Sequence, residues 1–233
     1  MPVQSLNRWF FWGVNMSDLY GAQHRVLQQQ FDTVSMADRV SEFIVVPDIS
    51  DEHRGFIESR DMFFLSTVDH RGFPTCSYKG GSTGFVKVLD SKTLAFPSLD
   101  GNGMYLSMGN MTLNPKIGML FIDFEHPHRV RVHGTAQIVP NDPLLQEYKE
   151  AELVVRVTIE EIFINCPRYI HPHQRVATSR YVPQADCPTP LPQWKRIDGL
   201  QDALPARDQH VAESLGGTIS FEQYAELVMK GEG

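Results

Sequence analysis

Between Asp61 and Asn165 the chain breaks into short apolar runs at hairpin spacing, and this series constrains the fold more than any other feature. Asp61 to Val68 (DMFFLSTV) is rich in aromatic and β-branched residues, Asp69-His70-Arg71-Gly72 is a turn signal, and Phe73 to Gly80 follows as a second run. Gly81 to Gly84 interrupts, Phe85 to Leu89 alternates apolar and polar, Asp90-Ser91-Lys92 turns, and Thr93 to Phe96 continues. Ile117 to Phe124 and Val130 to Val139 form another pair about the turn Glu125-His126-Pro127-His128, and Glu152 to Asn165 reads as one long strand. Hairpin connections imply antiparallel pairing. Helices stand at the margins, around His24 to Gln30 and Met36 to Ser41. Another runs to about Arg60 from an N-cap at Ser50 with an acidic first turn, and one spans Met104 to Leu113. Asn141 or Asp142 caps a short helix with Pro143 in its first turn, and Ser220 to Lys230 reads as an amphipathic helix. The pattern predicts a mainly β, α+β chain whose strands close into a small barrel, which removes exposed edges.

Composition narrows the function. A length of 233 residues admits one large domain or two small ones. A formal charge of −7 argues against a dedicated nucleic-acid binder but leaves room for a local basic pocket. Cys76, Cys166 and Cys187 are too few and too scattered for a disulfide framework, which points to a reducing, cytoplasmic setting with inert thiols. The apolar patch Trp9 to Val14 (WFFWGV) is too short to span a membrane and lacks the frame of a signal peptide. It is expected to pack on the body or on a partner subunit, with a peripheral membrane anchor as the alternative.

Three stretches could carry chemistry. In Cys76-Ser77-Tyr78-Lys79-Gly80-Gly81-Ser82-Thr83-Gly84 a strand lysine is followed by glycines and hydroxyls. Glycines let backbone N–H groups approach an anion and the ammonium supplies charge, although a barrel bend with a solvated lysine has the same composition. Ser98-Leu99-Asp100-Gly101-Asn102-Gly103-Met104 leads into a helix, and such a loop is either an anion site or a plain helix start capped by Asp100 or Asn102. It has neither the phosphate-loop spacing nor the dinucleotide fingerprint. Arg129 and Arg131 share a strand face, suited to a carbonyl-rich or phosphate ligand or else to solvent. The triplets His126-Pro127-His128 and His171-Pro172-His173 match no familiar zinc spacing, so no metal is expected. No carboxylate pair or Gly-x-Ser-x-Gly elbow announces hydrolysis.

Taken together, Phe56 to Val139 resembles the pyridoxamine 5′-phosphate oxidase-like, FMN-binding split-barrel flavoproteins. The ordered cues are a helix, a strand ending Ser66-Thr67-Val68, a polar turn with Gly, and a strand ending Ser77-Tyr78-Lys79. Then come the loop, a helix closed by Asn114-Pro115, Ile117 to Asp123, and Arg129-Val130-Arg131-Val132-His133-Gly134-Thr135-Ala136. Ile164-Asn165-Cys166-Pro167-Arg168-Tyr169-Ile170 is similar to a C-terminal element of a bacterial branch. The first ~50 residues lie outside the resemblance.

The resemblance implies a six-stranded antiparallel split barrel, a homodimer, and FMN sites at the subunit interface. It implies residues 1–49 as a partly helical N-terminal extension, 50–170 as the flavin-binding domain, and 171–233 as a Pro-rich tail with little core and a terminal helix. Lys79 matches the strand lysine of the flavin phosphate site, with Ser77, Tyr78 and Gly80 beside it. Ser98, Asp100, Gly101, Asn102, Gly103 and Met104 fall in the loop that grips the ribityl phosphate. Arg129 falls at the flavin pyrimidine edge, and Arg168 reaches the phosphate from the second subunit. The resemblance assigns no catalytic residue. It departs at Pro74, where the true oxidases carry an arginine, and at the Asp-Gly-Asn-Gly loop, where they carry an Arg-Lys pair. Their C-terminal Trp and Arg-x-His-x-Arg elements are not recognisable, so oxidation of pyridoxamine phosphate is not expected. What remains is an FMN-dependent oxidoreductase acting on a small molecule. The alternatives are a deazaflavin-dependent reductase and a flavin- or haem-binding module that carries or senses its ligand.

Overall fold

The computed structural model describes residues 19–139 and 141–233, so the Trp9 to Val14 patch lies outside the described residues. The chain divides into two compact units, Met1–Gln174 and Arg175–Gly233.

The first unit is one antiparallel sheet with helices beside it. Its strands are β1 (Met62–Val68), β2 (Pro74–Gly80), β3 (Lys87–Val88), β4 (Thr93–Leu99), β5 (Lys116–Asp123), β6 (His128–Val139) and β7 (Ala151–Ile164). They lie in the order β2-β1-β5-β6-β7-β4-β3, every pairing antiparallel. Seven strands stand where six are expected, and the end strands β2 and β3 are not paired with each other among the described residues. The run Phe85 to Leu89 yields only two paired residues. Phe85 and Val86 are buried in the core, and the Phe85 N–H is taken by the Ser82 carbonyl of the preceding turn at 2.9 Å.

Period-two alternation fixes the two faces of the sheet. Phe63, Leu65, Met119, Phe121, Val130, Val132, Val155 and Val157 point to the inner face and form the core. Phe63 sits at its centre, with ring centroids 5.1 Å from Phe96, 5.3 Å from Phe121 and 5.8 Å from Phe85. Burying each such ring contributes about 2–3 kcal/mol, which is what makes the inner face hold.

Helices α1 (Ala22–Gln30), α2 (Val34–Ile44) and α3 (Asp51–Glu58) precede the sheet, and α4 (Leu106–Leu113) crosses between β4 and β5. Ser50 caps α3 by accepting the His53 N–H at 3.2 Å, and Asp51 and Glu52 occupy the first turn. Between α2 and α3, Val46 exchanges both backbone hydrogen bonds with Ile162 of β7 (3.0 and 2.9 Å). Asp142 caps the short 3-10 helix Pro143–Glu147 and receives two hydrogen bonds from the Arg156 guanidinium, at 2.6 and 3.0 Å. Helix α4 starts two residues later than the expected Met104, because Tyr105 takes a left-handed φ of 45° that helical backbone does not allow.

The second unit carries three 3-10 stretches (Gln193–Arg196, Asp198–Ala203, Ala206–Asp208), α5 (Val211–Ser214) and α6 (Phe221–Met229). Ile197, Leu204, Val211, Ala212 and Ile219 are buried, as is the ion pair of Lys195 Nζ with Asp208 Oδ2 at 3.0 Å. This differs from the coreless tail expected of a Pro-rich stretch. Most of the tail's prolines precede Trp194, and the apolar residues that form this core recur after it. Ser220 and Gln223 form a reciprocal cap on α6.

Candidate functional site

Lys79 lies opposite Phe63 in the β1–β2 ladder, so the alternation turns Lys79, Ser77 and Thr75 to the inner face, towards α4. Contacts between β2 and α4 are polar there. The Ser77 and Ser107 hydroxyls share a hydrogen bond of 3.0 Å, and Asn110 Nδ2 donates to the hydroxyls of Thr67 (3.0 Å) and Thr75 (3.3 Å). These bonds hold the start of α4 against β2.

Where this contact opens there is a cavity of about 270 Å³. Its walls are Ser77 and Lys79 of β2, Ser98 at the end of β4, the loop Gly101 to Met104, and the first turn of α4. The loop is shaped by its own side chain, since Asn102 Oδ1 accepts the Met104 N–H at 3.2 Å, and Gly103 takes a φ of +77° that a side chain would oppose. Among the described residues no side chain caps α4, which leaves its first N–H groups as donors at the cavity. The Lys79 ammonium forms no ion pair or hydrogen bond among the described residues. Burial lowers its pKa from the usual lysine value. An uncompensated cation, hydroxyls, glycines and an uncapped helix start make a site for a compact anion such as a phosphate.

The cavity brings together seven of the residues singled out from the sequence: Ser77, Lys79, Ser98, Gly101, Asn102, Gly103 and Met104. Five are elsewhere. Tyr78 points to the outer face, edge-on to Phe64 at 6.1 Å, where burial and the Asp61 charge raise its pKa. Gly80 ends β2 beside the Tyr78 ring, and Asp100 is exposed outside the cavity lining. Arg129 lies on the outer face of β6. Its Nη2 donates to the Cys166 carbonyl at 2.9 Å, and its buried Nε–H has no partner among the described residues. Arg168 is exposed, with its guanidinium 5.8 Å from the Tyr169 ring centroid. Tyr105, Leu106, Ser107 and Met108 also line the cavity and were not singled out. The hydroxyl of Ser107 was the legible signal, placed one turn before Asn110 on the same helix face.

The outer face of the same unit carries a second, open groove of about 560 Å³ across β1, β5 and β6. Arg131 and His133 line it, and His133 Nδ1 donates to Glu161 Oε1 at 2.6 Å. Among the described residues no group of three or more His, Cys, Asp or Glu side chains is placed to hold a metal, and no helix is long and apolar enough to cross a membrane.

The family described as pyridoxamine 5′-phosphate oxidase matches residues 49–175. Solved structures similar to the chain include HupZ of Group A Streptococcus, at 22% identity over 50% of this chain and 93% of that one, with a TM-score of 0.41. Another is an FMN-binding protein of Syntrophomonas wolfei, at 11% identity over 61% of this chain and 97% of that one, also with a TM-score of 0.41. None of the curated proteins matches the chain.

Proposed function

Because the chain belongs to the pyridoxamine 5′-phosphate oxidase family, we propose that it is an FMN-dependent oxidoreductase acting on a small molecule. The observation that carries the reading is the Lys79 ammonium, half-buried without a counter-charge among the described residues, in a cavity walled by hydroxyls, glycines and the start of α4. These residues fit a phosphate monoester: Lys79 neutralises it, the Ser77 and Ser98 hydroxyls donate to it, and the loop and α4 add backbone N–H donors. When bound, FMN supplies a ring nitrogen, N5, that takes or gives a hydride. The protein's part is to bind and orient. Arg129 lies on the face of the sheet opposite the Lys79 cavity, so in this reading it serves the pyrimidine edge of the flavin held by the second copy. There it would stabilise negative charge on that edge.

In this reading the sheet is a split barrel, two copies associate, and each completes the other's site, with Arg168 reaching the phosphate from the second subunit. Three exposed cysteines suit a reducing cytoplasm. The visible spectrum of the purified protein tests the cofactor. A flavin absorption band, and release of a compound with the mass of FMN on denaturation, are expected. A colourless protein to which added FMN does not bind overturns the reading, and a deazaflavin mass replaces the cofactor.

A further inference from the structure

We propose that Glu152, which does not itself line the Lys79 cavity, shapes that cavity by holding Tyr105, and that this pair keeps the loop before α4 in its anion-gripping form. The proposal rests on the reading of the cavity as a phosphate site.

Tyr105 takes a left-handed φ of 45° at the residue before α4. For a bulky side chain that conformation is an outlier, and it lasts only where neighbouring contacts enforce it. The Tyr105 carbonyl still accepts the Gly109 N–H at 2.7 Å, so the first turn of α4 hangs directly on this residue. The four residues whose N–H groups find no partner inside the helix, Tyr105, Leu106, Ser107 and Met108, all line the cavity. The φ of Tyr105 therefore sets how those donors stand to the loop.

The contact that enforces it comes from β7. The Tyr105 hydroxyl donates to Glu152 Oε2 at 2.5 Å. Glu152 reaches it because the β4–β7 ladder slips at that point. Ser98 pairs with Leu153 and Leu99 with Ala151, which leaves Glu152 as the extra residue of a β-bulge. A bulge re-aims the side chain of its extra residue out of the strand's alternation. The loop from Leu99 to Tyr105 thus begins and ends on the same short piece of β7, fixed at one end by the ladder and at the other by the Tyr105 tether. The bonds that Ser107 and Asn110 make to β2 and β1 fix the body of α4, not the loop. A carboxylate acceptor makes the tether a charge-assisted bond, stronger than a neutral one. Glu152 is a positioning residue, acting on the anion through Tyr105.

Isothermal titration of the full chain with inorganic phosphate, and with FMN after any bound flavin is removed, tests this. Tyr105→Phe and Glu152→Ala should each weaken both ligands by about tenfold, as loss of one charge-assisted bond would. The double variant should be no weaker than either single one, because both remove the same interaction. Glu152→Gln keeps an acceptor oxygen and should lose less. If Glu152 acted only by its charge, both of its substitutions would tighten an anion. Tyr105→Asn gives the readout that simple packing would not. Asparagine lacks the ring but tolerates the left-handed region, so Tyr105→Asn should bind phosphate better than Tyr105→Phe. Wild-type affinity in Tyr105→Phe or Glu152→Ala overturns the proposal. So do additive losses in the double variant, or a Tyr105→Phe affinity equal to or above that of Tyr105→Asn. If phosphate follows the tether but FMN does not bind, the proposed cofactor falls and the tether stands. If phosphate binds the parent protein and ignores the tether, the tether alone falls. If the parent protein binds neither ligand, the proposed function falls and the tether with it.

Discussion

A lysine ammonium drawn partly out of water without a counter-ion is a standing cost, and Lys79 carries that cost at the wall of a cavity. If a phosphate offsets it, Lys79→Ala should weaken FMN binding by roughly 1–3 kcal/mol, read from flavin fluorescence quenching. A second readout follows from the direction of its pKa. In the folded chain the value lies below the ordinary one, so the unfolded chain binds more protons between the two, and stability rises with pH there. A bound phosphate favours the charged form. Just below the ordinary lysine value of about 10.4, FMN binding should therefore take up protons, seen as a buffer-dependent heat that Lys79→Ala abolishes. Asp142 shows the opposite case. The Arg156 hydrogen bond and the Leu144 N–H hold its carboxyl below the usual range against the opposing effect of burial. Its contribution is complete above the unfolded value near pH 4 and is lost as pH falls through the folded one. Asp142→Asn should cost about 2 kcal/mol at neutral pH. In urea denaturation, the gap from the parent protein should close on acidification. Lys79 and the loop at Ser98 were legible because lysine, glycine and hydroxyl residues have few joint uses. Arg129 and Arg131 were legible only as a same-face pair. Which of them meets a carbonyl and which faces open space depends on where the chain goes after β7.

At the level of elements, turn residues and alternation announced most of what formed. Ser50 with Asp51 and Glu52 begins α3, and Asp69 to Gly72 turns β1 into β2. The register of β6 against β7 was not legible, because it shifts between His133 and Gly134. There Glu160 is the extra residue, and the bulge sets Glu160 and Glu161 to meet Lys116 and His133. Gly134 is what the shift requires. A Cβ there would lie 2.7 Å from the Thr158 carbonyl oxygen and 2.7 Å from the Val157 Cγ1. Backbone cannot yield as a side-chain tip does. Gly134→Ala should therefore destabilise the chain by roughly 1–3 kcal/mol, measurable as a lower thermal midpoint. An unchanged midpoint would show that the two strands can separate locally at no cost. The short β3 and the late start of α4 have the same kind of cause. Each is set by a turn conformation that composition does not reveal.

At the scale of the molecule, the sheet has one covered face and one open face, and the open face carries Phe64, Val68, Tyr78 and Leu120. Tyr78 is 63% exposed. Monomers seldom leave such a surface bare, so light scattering is expected to return a particle of two chains. A mass near that of one chain would remove both the dimer and the shared site. The N-terminal helices point the same way. Val26 and Leu27 on α1, Phe31 just after it, and Met36 and Phe43 on α2 are all exposed.

The course of β7 also bears on how the chain reaches this state. β1–β2 and β5–β6 are hairpins whose partners are near neighbours in sequence, and they can form early. β1–β5 and β4–β7 join partners more than fifty residues apart, and β7 is the strand that receives both β4 and β6. Loop closure must be met before those pairings return any free energy. On a ribosome β7 is also the last of these seven strands to emerge. Until it docks, β4 and β6 stand as unpaired edges, and that interval is when one nascent chain is most exposed to pairing with another.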